Sequence, residues 1–142
     1  MLKIKNIMQT DLIVVRKNTP VTEALELIVK HKITGLPVVE KNMELVGIVS
    51  EKDLLGIAYH LITGTPTEMQ NKTVEAFMSK NITAFRPDDN LADTCQCFME
   101  KPFRRVPIVD GRKLVGLITR KDVIISAIGK NRLVARANAF SS

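Results

Sequence analysis

Tryptophan is absent from the 142 residues, and one tyrosine and five phenylalanines hold the aromatic share at 4% against 45% hydrophobic residues overall. A core built on stacked rings is excluded, so Val, Ile, Leu and Met must fill the interior. The same scarcity disfavours nucleic acid as a partner, because single strands are bound on aromatic platforms set among basic residues. No apolar run approaches the roughly 20 residues that a bilayer-crossing helix needs. The opening Met1-Leu2-Lys3-Ile4-Lys5 also lacks the continuous apolar segment of a signal peptide. The expectation is a cytoplasmic protein with no membrane association. Cysteine is scarce too: Cys95 and Cys97 lie two apart, off-face on a helix and short of the Cys-x-x-Cys pattern, so they read as reduced, helix-borne small residues.

Acidic residues thin out along the chain. Residues 1 to 71 carry 8 basic and 8 acidic side chains, residues 72 to 142 carry 13 and 7, and the second half supplies the whole net charge of +6. Such an excess serves a nucleic-acid surface, a small phosphate-bearing ligand or an ordinary solvated face. The basic residues are scattered over expected strands and turns rather than along one helix face, which argues against the first. Catalytic groupings are missing as well. His31 and His60 have no Ser, Cys or Asp at a spacing that would mark a catalytic pair, and the chain reads as a non-enzyme.

What the sequence does contain, it contains twice. Met8, Pro37, Val39, Gly47 and Asp53 recur as Met78, Pro107, Val109, Gly116 and Asp122. The offset is 70 residues up to Val39/Val109 and 69 from Leu45/Leu114 onward, as if one residue were missing from the second of two turns. Residues 1–70 and 71–142 are therefore expected to form two units that share one core.

In the first unit, Leu12 to Val15 reads as a short strand, and Thr19 as the N-cap of a helix with Pro20 at its first position. Val21, Ala24, Leu25, Ile28 and Val29 then recur at helical spacing. Leu36–Val39 and Leu45–Val49 read as a hairpin, with Pro37 at a strand's first residue and Gly47 marking a close backbone approach. Ser50 is placed to cap a helix opening on Glu51-Lys52-Asp53 and broken by Thr63-Gly64-Thr65-Pro66. The second unit repeats the order: strand 82–85, helix 91–99, strands 106–109 and 114–118, and a helix from Arg120. The tail, 130–142, reads either as a final helix that packs on a partner or as a frayed end.

A doubled β-α-β-β-α unit with apolar-Pro-apolar-apolar, then apolar-Gly-x-x-Ser/Thr-x-x-Asp, resembles the cystathionine-β-synthase (CBS) domain family over residues 7–128. The resemblance implies an α+β fold, a Bateman module whose two units pack sheet to sheet about a pseudo-twofold axis and bind adenosine-bearing ligands in two clefts. One cleft would combine Ile48, Ser50 and Asp53 with Ile82, Thr83, Phe103 and Arg104. The other would combine Leu117, Thr119 and Asp122 with Leu12, Ile13, Ile33 and Thr34.

The residue chemistry suits that transfer. An ionised Asp accepts two hydrogen bonds from a ribose diol, a helix N-terminus favours phosphate, and apolar walls sandwich a base. Arg104 can grip two phosphate oxygens, whereas its counterpart Thr34 cannot, so the clefts should be unequal. Arg105 is a lesser candidate for the phosphate, and Arg120 or Lys121 would raise the local potential from the rim. The implied ligand is AMP, ADP or ATP as a regulatory, non-covalent nucleotide, with S-adenosylmethionine a further candidate. The implied partners are a second copy, forming a homodimer, and an effector protein in trans. The alternative is a structural CBS pairing module without a ligand.

Overall fold

The structure is a computed structural model that describes residues 1–141, with side chains described through Lys130. It carries helix α1 (Val21–His31), the antiparallel hairpin β1 (Gly35–Val39) and β2 (Leu45–Ser50), and helix α2 (Glu51–Thr63). The order then repeats as α3 (Leu91–Glu100), the hairpin β3 (Arg105–Asp110) and β4 (Lys113–Thr119), and α4 (Arg120–Ser141). Mixed helices and small antiparallel sheets make this an α+β fold.

The chain divides into two compact units that do not follow the sequence boundary. The first-hairpin unit is Leu12–Thr83 with Gly111–Leu114; the second-hairpin unit is Met1–Asp11, Ala84–Asp110 and Val115–Ser142. Each repeat's opening segment thus belongs with the other repeat's hairpin. In the second-hairpin unit, Gln9 exchanges both backbone hydrogen bonds with Leu117 of β4 (2.8 and 3.0 Å). In the first-hairpin unit, Ser79 does the same with Ile48 of β2 (3.0 and 2.8 Å).

Two apolar cores result, one within each unit, in place of the single shared core expected from the sequence. Val15, Val21, Ala24, Ile28, Leu36, Val38, Val49, Leu54, Ile57 and Val74 form one. Ile4, Leu91, Phe98, Val106, Ile108, Ile118 and Val123 form the other, with Cys95 and Cys97 packed against it as free thiols. Both are aliphatic apart from Phe98, as the poverty in aromatics requires.

Several local expectations change. The runs 12–15 and 82–85 are not full strands: each reduces to one parallel bridge, Val15 to Val38 and Phe85 to Ile108. The flanking bonds explain this, since Val15 and Phe85 each lie between a Pro carbonyl and a Val N–H two residues on, and the pairing goes no further. Thr19 does not cap α1. Its hydroxyl accepts from the Arg16 N–H at 2.9 Å and closes the preceding turn, while Pro20 occupies the cap position.

Pro37 lies mid-strand rather than first, paired with Ile48. It is tolerated because Ile48 directs its N–H and carbonyl to Ser79, making Pro37/Ile48 a pair across which no hydrogen bond is asked of the missing N–H. The one-residue shift in the repeat is the hairpin turn. The first bends through Asn42 and Met43 at positive φ (61° and 63°), the second through Gly111 (φ 63°). The side chains of the tail, 131–142, lie outside those described, so its expected apolar face has no assignment.

Candidate functional site

The Ser/Thr-x-x-Asp turns fold as the sequence requires. Ser50, extended at the end of β2, caps α2: its hydroxyl accepts from the Asp53 N–H (3.2 Å), and Asp53 Oδ2 accepts from the Ser50 N–H (2.8 Å) and hydroxyl (2.9 Å). This reciprocal capping box satisfies two donors that a helix end otherwise leaves open. Thr119 and Asp122 repeat it at α4, with Thr119 N–H to Asp122 Oδ2 at 2.9 Å and Asp122 N–H to Thr119 Oγ1 at 3.1 Å. In both turns Oδ1 accepts no hydrogen bond among the described residues.

The caps correct one expectation. The N–H groups that a phosphate was expected to find at these helix ends are largely engaged. In α2 the Ser50 and Asp53 donors serve the box, and the Glu51 N–H binds the Thr34 carbonyl (2.9 Å). In α4 the Arg120 N–H binds the Arg104 carbonyl (3.1 Å). A phosphate here would draw on the helix dipole and on side-chain cations more than on backbone donors.

The candidate residues sort cleanly by unit. Ile48, Ser50, Asp53, Ile82, Thr83, Leu12, Ile13, Ile33 and Thr34 belong to the first-hairpin unit, and Leu117, Thr119, Asp122, Phe103 and Arg104 to the other. Each of the two expected sets draws from both units. The Arg104 side chain is exposed and that of Thr34 partly buried.

The exposed Arg120 guanidinium donates to the carbonyls of Phe103 (2.6 Å) and Lys101 (3.2 Å), fixing the segment before β3. Arg105 is partly buried, and this desolvation draws its guanidinium below the ordinary arginine value while the charge of Asp122 acts the other way.

Sequence reading missed Gln9. Its carboxamide donates to Asp122 Oδ2 at 2.9 Å, across 113 residues of sequence. Its counterpart Ser79 makes no hydrogen bond to Asp53 among the described residues. The signal was the mismatch Gln9/Ser79 directly after the matched Met8/Met78, but nothing in the sequence tied it to the carboxylate. Among the described residues no cluster of His, Cys, Asp and Glu is arranged to hold a metal ion, and no helix is long and apolar enough to cross a membrane.

A family model for the CBS domain matches residues 4–60 and again 74–128. The chain belongs to the CBS domain family. The chloroplastic CBS domain-containing protein CBSX2 of Arabidopsis thaliana is 36% identical over 140 residues, covering 81% of this chain and 58% of the relative. The chain therefore spans about three fifths of the length of the curated relatives CBSX2 and CBSX1 (58% and 60%).

Among solved structures, CBSX2 in complex with AMP aligns with a TM-score of 0.81 at 35% identity, covering 92% of this chain and 99% of that one. The CBS domain pair of MJ0100, in complex with 5′-methylthioadenosine and S-adenosyl-L-methionine, aligns with a TM-score of 0.74 at 28% identity over 92% of this chain and 98% of that one. Both capping turns of the present chain, 50–53 and 119–122, lie within the matched residues.

Proposed function

We propose that this CBS pair is a regulatory module that binds an adenosine-bearing ligand and signals its occupancy to a partner. The observation that carries the reading is the pair of capped carboxylates, Asp53 and Asp122, each held by capping bonds at the third position of its helix, with Oδ1 accepting no hydrogen bond among the described residues. A fixed carboxylate oxygen is what a ribose hydroxyl needs. The relatives crystallised with AMP and with methylthioadenosine and S-adenosylmethionine support the choice of ligand class.

Ile48, Ser50, Asp53, Ile82, Thr83, Phe103 and Arg104 would make one site, and Leu117, Thr119, Asp122, Leu12, Ile13, Ile33 and Thr34 the other. Arg104 would be the phosphate ligand. The two CBS units would be the repeats 1–70 and 71–142, and the module would be non-catalytic and cytoplasmic.

A homodimer is the expected assembly. Helix α2 exposes Leu55, Tyr59 and Ile62 (66%, 62% and 85%), one stripe at i, i+4 and i+7, and α4 exposes Ile124, Ile125 and Ile128. Sedimentation showing a monomer at micromolar concentration would remove this part of the reading. An effector in trans would read the dimer's ligand state.

Titration calorimetry against AMP, ADP, ATP, adenosine and S-adenosylmethionine tests the function. Binding of one or more supports the sensor. No heat and no thermal shift with any of them would leave the structural pairing module.

A further inference from the structure

The two capped carboxylates are alike in backbone and unlike in company. Asp53 Oδ2 takes both of its hydrogen bonds from Ser50, inside its own four-residue turn. One of those donors is a hydroxyl, which can rotate and release the oxygen to an incoming group. Asp122 Oδ2 takes one bond from the Thr119 N–H and the other from the Gln9 carboxamide, each at 2.9 Å.

Gln9 is anchored at its root. Its N–H and carbonyl are both paired with Leu117, and Met8 beside it sits against Gly116. The side chain therefore reaches Asp122 from a fixed backbone, so little freedom is lost in forming the bond. Ser79 has the same backbone pairing, with Ile48, and a side chain that makes no such bond.

From this we infer that Gln9 is the residue that ranks the two ribose positions: its carboxamide occupies one of the two Asp122 oxygens that a ribose diol would engage together, so the Asp53 position fills first. The inference rests on the adenosine-binding reading above. A diol that engages both oxygens of a carboxylate meets at Asp53 only a rotatable hydroxyl, but at Asp122 must displace or share an amide donor. Two N–H groups already fill the two lone-pair directions of Asp122 Oδ2. The ranking is independent of phosphate, and so is separate from the Arg104/Thr34 difference.

The test is calorimetry with adenosine, which carries the diol and no phosphate, on the full chain. In an Asp53→Ala background, which isolates the Asp122 position, Gln9→Ser should tighten adenosine by about 3- to 10-fold, the range of one net hydrogen bond. In an Asp122→Ala background, Ser79→Gln should weaken it by a similar factor. With 2′,3′-dideoxyadenosine neither substitution should matter.

Circular dichroism and thermal melting of every variant identify any that fail to fold, in which case Gln9→Thr and Ser79→Asn replace them. Unchanged or weaker adenosine binding in Asp53→Ala/Gln9→Ser, with the wild type binding normally, overturns the role of Gln9 alone. Absence of binding by the wild type and all variants to every member of the nucleotide panel overturns the ligand reading itself.

Discussion

Met78 places its sulfur where a side chain on Gly47 would have to stand. A Cβ at Gly47 would lie 2.6 Å from that sulfur and 3.1 Å from the Ser79 carbonyl, and at Gly116 the same contact is made by Met8, at 2.5 Å. Met8, Met78, Gly47 and Gly116 are four of the positions by which the two repeats are recognised in the sequence. Each glycine is kept bare by the methionine of the other repeat.

Gly47→Ala should therefore destabilise the protein by about 1 to 3 kcal/mol through overpacking. The penalty should fall when Met78→Ala is added, because the thioether is the nearer obstacle. A double-mutant cycle in urea should show a favourable coupling of at least about 0.5 kcal/mol. Additive losses would show that the two residues do not meet.

The capping turn can be separated from ligand binding. Ser50→Ala removes the acceptor for the Asp53 N–H and should cost about 0.5 to 2 kcal/mol in denaturant melts. Asp53→Ala should also weaken ribose-bearing ligands by about 1.5 to 3 kcal/mol. Asp53→Asn, which keeps an acceptor for the cap, should recover most of the stability and less of the affinity.

Arg104 is exposed on its unit, and its side chain supports no described contact. Arg104→Ala should leave the melting curve within about 0.5 kcal/mol of wild type. The same change should weaken AMP far more than adenosine in calorimetry, and an equal loss for both would remove the phosphate role.

The ion pair between Lys5 and Asp88, 2.8 Å apart, gives a pH signature. Hydrogen bonding and charge from Lys5 hold the Asp88 carboxyl below its ordinary value. A carboxyl depressed on folding stabilises the fold above its unfolded pKa, and that contribution is lost as pH falls through the folded pKa. In Lys5→Met the Asp88 titration, followed by carboxyl NMR, should move up, and the acid-side decline in stability attributable to this pair should disappear.

The hairpins, the four helices and both capping turns could be read from the sequence because each is a local pattern. Ser50 and Asp53 are three residues apart, and the Gly64 stop is next to the helix it ends. The strand expected at Leu12–Val15 was misjudged because β-branched composition signals a fit to a sheet but not how many residues find a partner. Here Val15 alone is matched, to Val38.

Thr19 was assigned to the wrong structure for a related reason. The same hydroxyl serves a cap or a turn equally well, and here it accepts from the Arg16 N–H. Gln9 could not have been found at all: its partner is fixed by the pairing of the opening segment with β4, a long-range fact that no window of sequence contains. Gly47 was read correctly as a close approach, but the approaching residue came from the far repeat.

That exchange of opening segments bears on how the protein can be divided. A polypeptide ending near residue 70 would keep Met1–Asp11 without the hairpin those residues pair with, and would lack the stretch from Val74 to Ser79 that completes its own. Neither half should be obtainable alone as a soluble, cooperatively melting fragment. Co-expressed, the two pieces should find each other and reassemble, so that the chain behaves as a split protein whose halves are useful only as complements.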